Sequence, residues 1–245
     1  MKILISIDDT DNIDSRGTGE IAEILAEGIE DRGWGKCGRV TRHQLLVHPD
    51  IPYTSHNSSM CFPVEIPAAG MLGTITDYCC SALATESAPG SDPGLCVVVP
   101  ERIQELHALM AFGYKAKTKV ISKDEAYETA AIHGIHLSEH GGTGQGVIGA
   151  LAGAGLRLSG NDGRFKGKLR IPTKNGTATV TEMRDFGIDL VKTVDGTLLK
   201  ESENVHVGDH VKLVLLEGKS VLLVVPGNGT GVAWKAADKK LIKAY

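Results

Sequence analysis

The sequence predicts an α+β fold in which a split βαβ arrangement is followed by a small all-β domain. Over about the first 100 residues, apolar β-branched runs and amphipathic segments follow one another as strand, helix, strand, strand, helix, strand. That order is typical of the ferredoxin-like arrangement. From residue 178 onward, short alternating segments are separated by turn residues, which favours a β-barrel or sandwich.

Periodicity and turn residues place the predicted elements along the chain. An apolar strand at residues 3–7 precedes a helix at 20–32, which Gly33 ends. The first part also contains predicted strands at 39–48, 59–66, 94–99 and 117–121 and predicted helices at 70–87, 101–113 and 123–137. The predicted strands of the second part lie at 178–183, 189–193, 198–199, 210–216 and 220–225.

We therefore expect two domains. Residues 1–175 form an α+β region, with the βαββαβ order over 1–100 and a helical part that carries a glycine-rich loop over 101–175. Residues 176–245 form the small β-barrel or sandwich.

The composition is that of a globular protein and excludes several classes. The chain has 245 residues and a formal net charge of −4, which does not favour broad nucleic-acid binding. No run of about 18 apolar residues is present, so we expect no membrane partner. The five cysteines lack the pairing of a zinc motif or a disulfide framework. Together with the lack of a signal-peptide pattern, they predict a cytoplasmic protein.

Three carboxylates follow the first predicted strand. Asp8, Asp9 and Asp11 would meet at its carboxyl end, where like charges resist ionising together unless a cation lies among them. Hard oxygen ligands without His or Cys suit Mg²⁺, whose remaining ligands are commonly substrate phosphates. We therefore assign these three residues as metal ligands. The alternative is a solvated acidic turn that caps the following helix.

A second informative stretch is rich in glycine and precedes a small, apolar helical pattern. Glycines let backbone N–H groups approach an anion, and a helix N-terminus adds a favourable dipole. The stretch does not match the Walker pattern, because Val147 and Ile148 stand where that pattern has Lys and Ser or Thr. Glycines that only permit close helix packing are the alternative. The candidate phosphate-binding residues are Gly141, Gly142, Thr143, Gly144, Gln145 and Gly146.

These motifs resemble those of a known family. The run Ile7-Asp8-Asp9-Thr10-Asp11 is similar to the N-terminal signature of the archaeal tRNA-isoleucine agmatinylcytidine synthetases. The run from Gly144 to Ala152, Gly-Gln-Gly-Val-Ile-Gly-Ala-Leu-Ala, resembles the glycine loop and helix of the same family. The stretches His48–Tyr53 and Thr54–Asn57 agree in order as well. The resemblance covers about residues 1–165.

The resemblance implies an α/β kinase-like part that binds ATP and Mg²⁺ and performs phosphate chemistry beside a ferredoxin-like domain. It implies catalytic roles for Asp8 and Asp9, and a role for Thr18 in accepting or orienting a phosphate. Asp162 is a candidate ligand or nucleophile-orienting residue, and His56 and Asn57 are candidate residues for binding the cofactor beside the acceptor. In the family a Cys-Thr pair follows the acidic signature, whereas this chain has Arg16-Gly17-Thr18. The family's zinc ribbon has no counterpart among the five scattered cysteines of this chain, and residues 178–245 resemble no part of the synthetase.

We therefore expect a Mg-ATP-dependent transferase or ligase, related to tRNA-modification enzymes, that acts by phosphoryl transfer. Its acceptor is a small metabolite or a nucleoside in RNA. One alternative is a non-catalytic regulatory module that binds nucleotide or RNA. Another is a phosphatase of the haloacid-dehalogenase type, with Asp9 as nucleophile and Asp11 as acid and base. Neither the acceptor nor the oligomeric state follows from the sequence.

Overall fold

The computed structural model describes residues 1–51, 57–173, 175–228 and 231–245. It divides into two compact units, Met1–Ser159 and Gly160–Tyr245. Both combine helices with strands that pair mostly in antiparallel fashion, as the predicted α+β class requires. The predicted domain boundary at residues 175 and 176 stays a prediction. Among the described residues, no helix is long and apolar enough to cross a membrane.

The first unit contains a sheet with the strand order β6-β5-β1-β4-β3, in which every neighbouring pair is antiparallel. A further short strand, β2, also pairs with β4. The elements of this unit are β1 (Lys2–Asp8), α1 (Thr18–Asp31), β2 (Lys36–Cys37), β3 (Thr41–Gln44), β4 (Ser58–Glu65), α2 (Met71–Glu86), β5 (Gly94–Val98), α3 (Leu106–Ala116), α4 (Lys123–Ile132), β6 (His136–Glu139) and α5 (Gly146–Ser159).

The first strand is apolar over most of its length because helices cover both faces of the sheet. Ile3, Ile5 and Ile7 pack into a core with α1 and α2, whereas Leu4 packs into a second core with α3, α4 and α5. Ile5 pairs with Phe62 on one side and with Val97 on the other, so β1 is a central strand. A strand buried on both faces has a nearly continuous apolar sequence and not an alternating one.

Two predicted elements near the glycine loop are wrong. The predicted strand at 117–121 is a turn and an irregular segment between α3 and α4. The predicted helix at 123–137 ends at Ile132, and Gly134 then takes a positive φ of 62° that turns the chain. The following residues form β6, whose His136 and Glu139 pair with Val97 and Gly94. Pairing with the edge of β5 supplies backbone partners that the local sequence does not indicate.

The second unit consists mainly of strands but includes two short helices. The predicted strand at 178–183 is wrong over most of its length, because Thr179 and Glu182 form a capping box that starts a helix. The predicted turn at Glu217 and Gly218 is present, with positive φ at both residues. The elements are β7 (Arg164–Phe165), β8 (Thr177–Thr179), α6 (Val180–Arg184), β9 (Leu190–Thr193), β10 (Asn204–His206), β11 (Val214–Leu216), β12 (Lys219–Pro226), β13 (Trp234–Ala236) and α7 (Lys239–Ile242).

The long strand β12 organises this unit. It pairs antiparallel with β11 and β13 and parallel with β9, and β10 continues the sheet from β13 to β8. Leu222 and Val224 of β12 are fully buried in a core that includes Val205 and Met183.

Within the first unit, α3 and α5 approach each other so closely that their contact residues must be glycine. A Cβ atom added at Gly155 would lie 2.1 Å from the carbonyl oxygen of Leu109. A Cβ added at Gly113 would lie 2.9 Å from the carbonyl oxygen of Ala152. Because backbone atoms cannot move aside as a side chain can, these glycines fix the position of α5 against α3.

We expect Gly155→Ala to destabilise the protein by roughly 1–3 kcal/mol, because α3 must shift to admit the methyl group. Gly73→Ala in α2 is the matched control, since nothing lies within 4 Å of its added Cβ. The control should gain about 0.5–1 kcal/mol from reduced backbone entropy in the unfolded chain. Urea unfolding measures both. Equal stability of Gly155→Ala and the wild type would contradict the close helix contact.

Candidate functional site

The carboxyl end of β1 is packed against the first turn of α5. Asp8 is the last residue of β1 and is 8% exposed. A Cβ atom added at Gly149 would lie 1.6 Å from its carboxylate Oδ2, so the glycine leaves the space that the Asp8 side chain fills. Asp9 follows with a φ of 53°, in the left-handed region that non-glycine residues adopt uncommonly. This turn carries the chain out of the sheet directly after Asp8.

Asp11 and Thr18 are joined by a hydrogen bond. Thr18 is the first residue of α1, and its Oγ1 donates to Asp11 Oδ1 over 3.0 Å. The same hydroxyl oxygen accepts the backbone N–H of Thr10 at 3.4 Å. Thr10 is 1% exposed, and its own hydroxyl has no hydrogen-bond partner in the described part of the chain. The segment therefore presents a buried hydroxyl between two carboxylates.

The glycine loop, residues 141–146, connects β6 to α5. Gly141, Gly142 and Gly144 have positive φ values of 156°, 56° and 77°, which explains the need for glycine at these positions. Gly146 has a different role, because its added Cβ would lie 2.0 Å from the carbonyl oxygen of Asp92. Gly141, Gly142 and Gly144 therefore shape the loop and Gly146 permits close backbone packing, and phosphate binding by the loop stays a prediction.

A fourth carboxylate, Asp92, binds the glycine loop. Its Oδ1 accepts the backbone N–H groups of Thr143 and of Gly144, the latter at 3.2 Å. Its Oδ2 accepts the hydroxyl of Thr143 at 2.8 Å. Asp92 is not among the site residues that the sequence predicts. The only signal for it is its place in a Ser-Asp-Pro-Gly turn that leads into β5.

The positively charged side chain of Lys123 also contacts the glycine loop. Lys123 Nζ donates to the carbonyl oxygen of Thr143 at 3.0 Å and forms an ion pair with Glu139 at 3.0 Å. The hydroxyl of Tyr127 donates to the other carboxylate oxygen of Glu139 over 3.0 Å. The sequence does not predict Lys123, Tyr127 and Glu139 as site residues either, because their contacts depend on β6 lying next to α4.

Burial and mutual repulsion perturb the acidic groups. Burial, followed by the charges of Asp92 and Asp11, raises the pKa of Asp9 to about 6. Burial above all, with the charge of Asp9 next, raises the pKa of Asp8 well above its usual value. The four carboxylates therefore share one electrostatic environment. An environment of this kind favours protons or a cation.

The donor set fits a hard cation. It consists of carboxylate oxygens with raised pKa values and the buried hydroxyl of Thr10, which has no partner among the described residues, and it contains no His or Cys. Among the described residues, no group of three or more His, Cys, Asp or Glu side chains is arranged to hold a metal ion by itself. A magnesium ion that keeps substrate phosphates among its ligands needs only one or two protein carboxylates.

Of the other predicted site residues, the structure describes Asn57, Gln145 and Asp162. The side-chain amide of Asn57 donates to the carbonyl oxygen of Leu46 at 2.6 Å and so holds the ends of β3 and β4 together. Gln145 is exposed, and Asp162 is a buried residue of the second unit. His56 lies outside the described residues. The assigned functions of these four residues stay predictions.

No protein-family model and no curated protein sequence matches the chain. Its fold is nevertheless similar to that of solved enzymes whose structures involve tRNA. In the complex of TiaS with an isoleucine tRNA and ATP, the TiaS chain shares 29% sequence identity with this protein. The alignment covers 63% of this chain and 36% of the TiaS chain and has a TM-score of 0.55. A tRNA fluorescent labeling enzyme shares 26% sequence identity with this protein, and the alignment covers 72% of this chain and 40% of the enzyme's chain with a TM-score of 0.56.

The apo form of TiaS, an agmatidine synthetase for isoleucine tRNA, shares the fold at 23% identity, with 82% of this chain and 49% of that chain covered and a TM-score of 0.54. The predicted resemblance to the agmatinylcytidine synthetases is therefore confirmed. The chain spans less than half the length of each of these three structures.

We expect the protein to lose stability in EDTA as the pH rises from about 4 to about 7. Because Asp8 and Asp9 have raised pKa values, these two carboxyl groups bind more protons in the folded than in the unfolded state in this window, and their contribution to the free energy of unfolding falls with rising pH. Asp9→Asn should raise the melting temperature near pH 7 and flatten this dependence.

The control is Asp31→Asn, which removes one carboxylate from the exposed, distant end of α1. Its melting temperature should follow that of the wild type at every pH. The same slope in Asp9→Asn and the wild type would contradict the repulsion assigned to Asp9.

Proposed function

We propose that the protein is a Mg-ATP-dependent enzyme of the phosphoryl-transfer or ligase type that modifies a nucleoside in tRNA. The observation that carries the proposal is that carboxylates, which bind cations, lie next to backbone N–H groups, which bind anions. Asp8, Asp9 and Asp11 follow one another where β1 ends, and the charge of Asp92, which accepts the N–H groups of the glycine loop, acts on Asp9. The likeness to TiaS bound to an isoleucine tRNA and ATP, at 29% identity, supports nucleotide and RNA as ligands.

In this proposal each residue has a defined role. One or two of Asp8, Asp9 and Asp11 would bind Mg²⁺, and the backbone N–H groups of Thr143 and Gly144 would bind phosphate oxygens. Bound Mg²⁺ offsets the negative charge of the phosphates. Thr18, held by Asp11 at 3.0 Å, orients or accepts the transferred phosphoryl group. The chain's own contribution is positioning and electrostatics, which dominate catalysis of phosphoryl transfer.

We also propose that the sheet of the first unit with α1 and α2 is a ferredoxin-like domain. The strand order β5-β1-β4-β3 and the antiparallel pairing of all neighbours support this assignment. In such a split βαβ unit, the first strand lies in the centre of the sheet. Asp8, the last residue of this central strand, therefore lies at the end of the sheet with a paired strand on each side.

Calorimetric titration of ATP in Mg²⁺ and then in EDTA tests the nucleotide and metal together. We expect binding that depends on Mg²⁺ and that Asp8→Asn and Asp9→Asn each weaken by about tenfold or more. Asp31→Asn is the matched control and should bind as the wild type does. Failure of the wild type to bind ATP in both conditions would overturn the proposed function.

Thr18 variants separate binding from turnover. We expect Thr18→Val to retain Mg-ATP binding within about threefold and to lose most release of phosphate or pyrophosphate in the presence of tRNA, because only the hydroxyl is removed. Thr18→Ser should restore turnover. Mass spectrometry of the digested tRNA identifies the modified nucleoside.

Three outcomes would speak against parts of this assignment. Equal turnover by Thr18→Val and the wild type would exclude the threonine from the chemistry. Binding of Mg-ATP by the wild type without any turnover, on tRNA or on small acceptors, would favour a regulatory module. Hydrolysis of phosphomonoesters without ATP would favour a phosphatase.

A further inference from the structure

Within the described part of the chain, the carboxylate of Asp92 makes its hydrogen bonds to the glycine loop. Two backbone N–H groups, from Thr143 and Gly144, donate to one oxygen, and the Thr143 hydroxyl donates to the other. The fit leaves no room for a side chain at Gly142, whose added Cβ would lie 1.8 Å from Asp92 Oδ1. The loop is thus shaped around a negatively charged group with two oxygens.

The same donors suit a phosphate. Successive backbone N–H groups in a turn with positive φ form a concave anion site, and the N-terminus of a 14-residue helix adds its dipole. A phosphate group offers charged oxygens that accept hydrogen bonds as carboxylate oxygens do. Lys123, which forms an ion pair with Glu139, donates to the carbonyl oxygen of Thr143 and so fixes the loop from a second direction.

A second observation points to a ligand on the other side of this carboxylate. Thr10 is only 1% exposed, and no described residue accepts or donates a hydrogen bond to its hydroxyl. Buried hydroxyl groups are nearly always hydrogen-bonded in folded proteins. A polar ligand at the end of β1 would supply a partner for this hydroxyl.

We propose that the Asp92 carboxylate occupies a phosphate-binding position in the glycine loop. A phosphate of the nucleotide displaces it and accepts the N–H groups of Thr143 and Gly144 in its place. This inference rests on the proposed function and adds the position of one phosphate and a residue that competes for it. Displacement has a consequence for the metal. Because the charge of Asp92 acts on Asp9, the phosphates bind more strongly with a cation than without one. Nucleotide binding is therefore coupled to Mg²⁺.

The test compares Asp92→Asn and Asp92→Ala with the wild type in the intact chain. Sodium tripolyphosphate and ATP are titrated calorimetrically in EDTA, and ATP is titrated again in Mg²⁺. Removing the internal competitor should tighten metal-free binding of tripolyphosphate by about tenfold, since binding no longer requires the loop to be vacated first. Circular dichroism and thermal melts show whether both variants are folded.

Two controls separate displacement from the loss of one charge. Asp31→Asn removes a distant carboxylate and should leave tripolyphosphate binding unchanged. A gain that came only from weaker repulsion would appear equally in Asp11→Asn, which removes a neighbouring carboxylate but leaves Asp92 on the glycine loop, whereas a gain from the vacated loop appears only in the Asp92 variants.

The outcomes distinguish this inference from the proposed function. Absence of ATP binding by the wild type in Mg²⁺ would overturn both. Wild-type binding of Mg-ATP, with unchanged or weaker tripolyphosphate binding by both folded Asp92 variants, would overturn this inference alone. Asp92 would then be a support of the loop and not a competitor of the phosphate.

Discussion

The site depends on one backbone contact, that between Gly94 at the start of β5 and Gly146 at the start of α5. A Cβ atom added at Gly94 would lie 2.2 Å from the carbonyl carbon of Gly146, so neither position admits a side chain. Because β5 also pairs with β1, this contact places the first turn of α5 beside Asp8. The carboxylates at the end of β1 and the N–H groups of the glycine loop are therefore brought together by packing and not by their own attraction.

The arrangement is unfavourable for folding by itself. Asp8 is buried beside other carboxylates, Asp9 has a left-handed backbone, and the hydroxyl of Thr10 has no partner among the described residues. Each of these features costs stability in a globular protein. The surrounding core offsets that cost, with Ile3, Ile5 and Ile7 fully buried on β1. Local departures from packing rules that gather in one place are typical of functional sites.

The sequence predicts the parts of this site that are local and misses those that depend on tertiary pairing. The apolar run before Asp8 and the clustered glycines are visible as patterns, and the helices at 20–32 and 70–87 differ by at most two residues from α1 and α2 at each end. In contrast, β6 has the polar sequence His-Leu-Ser-Glu and becomes a strand only because β5 offers a free edge. Asp92 and Lys123 meet the loop through that edge, so no spacing along the chain indicates them.

The two-sided character of the site restricts the class of ligand. A bare anion would meet the carboxylates of Asp8, Asp9 and Asp11, and repulsion in a buried environment is poorly screened by water. A cation alone accepts no hydrogen bonds and would leave the N–H groups of Thr143 and Gly144 without an acceptor from the ligand. A metal-bound polyphosphate satisfies both sides at once, because its cation neutralises the carboxylates while its oxygens accept the N–H groups. Asp92 supplies an acceptor for the same N–H groups from within the chain, so the loop donors are satisfied by a carboxylate as they would be by a phosphate.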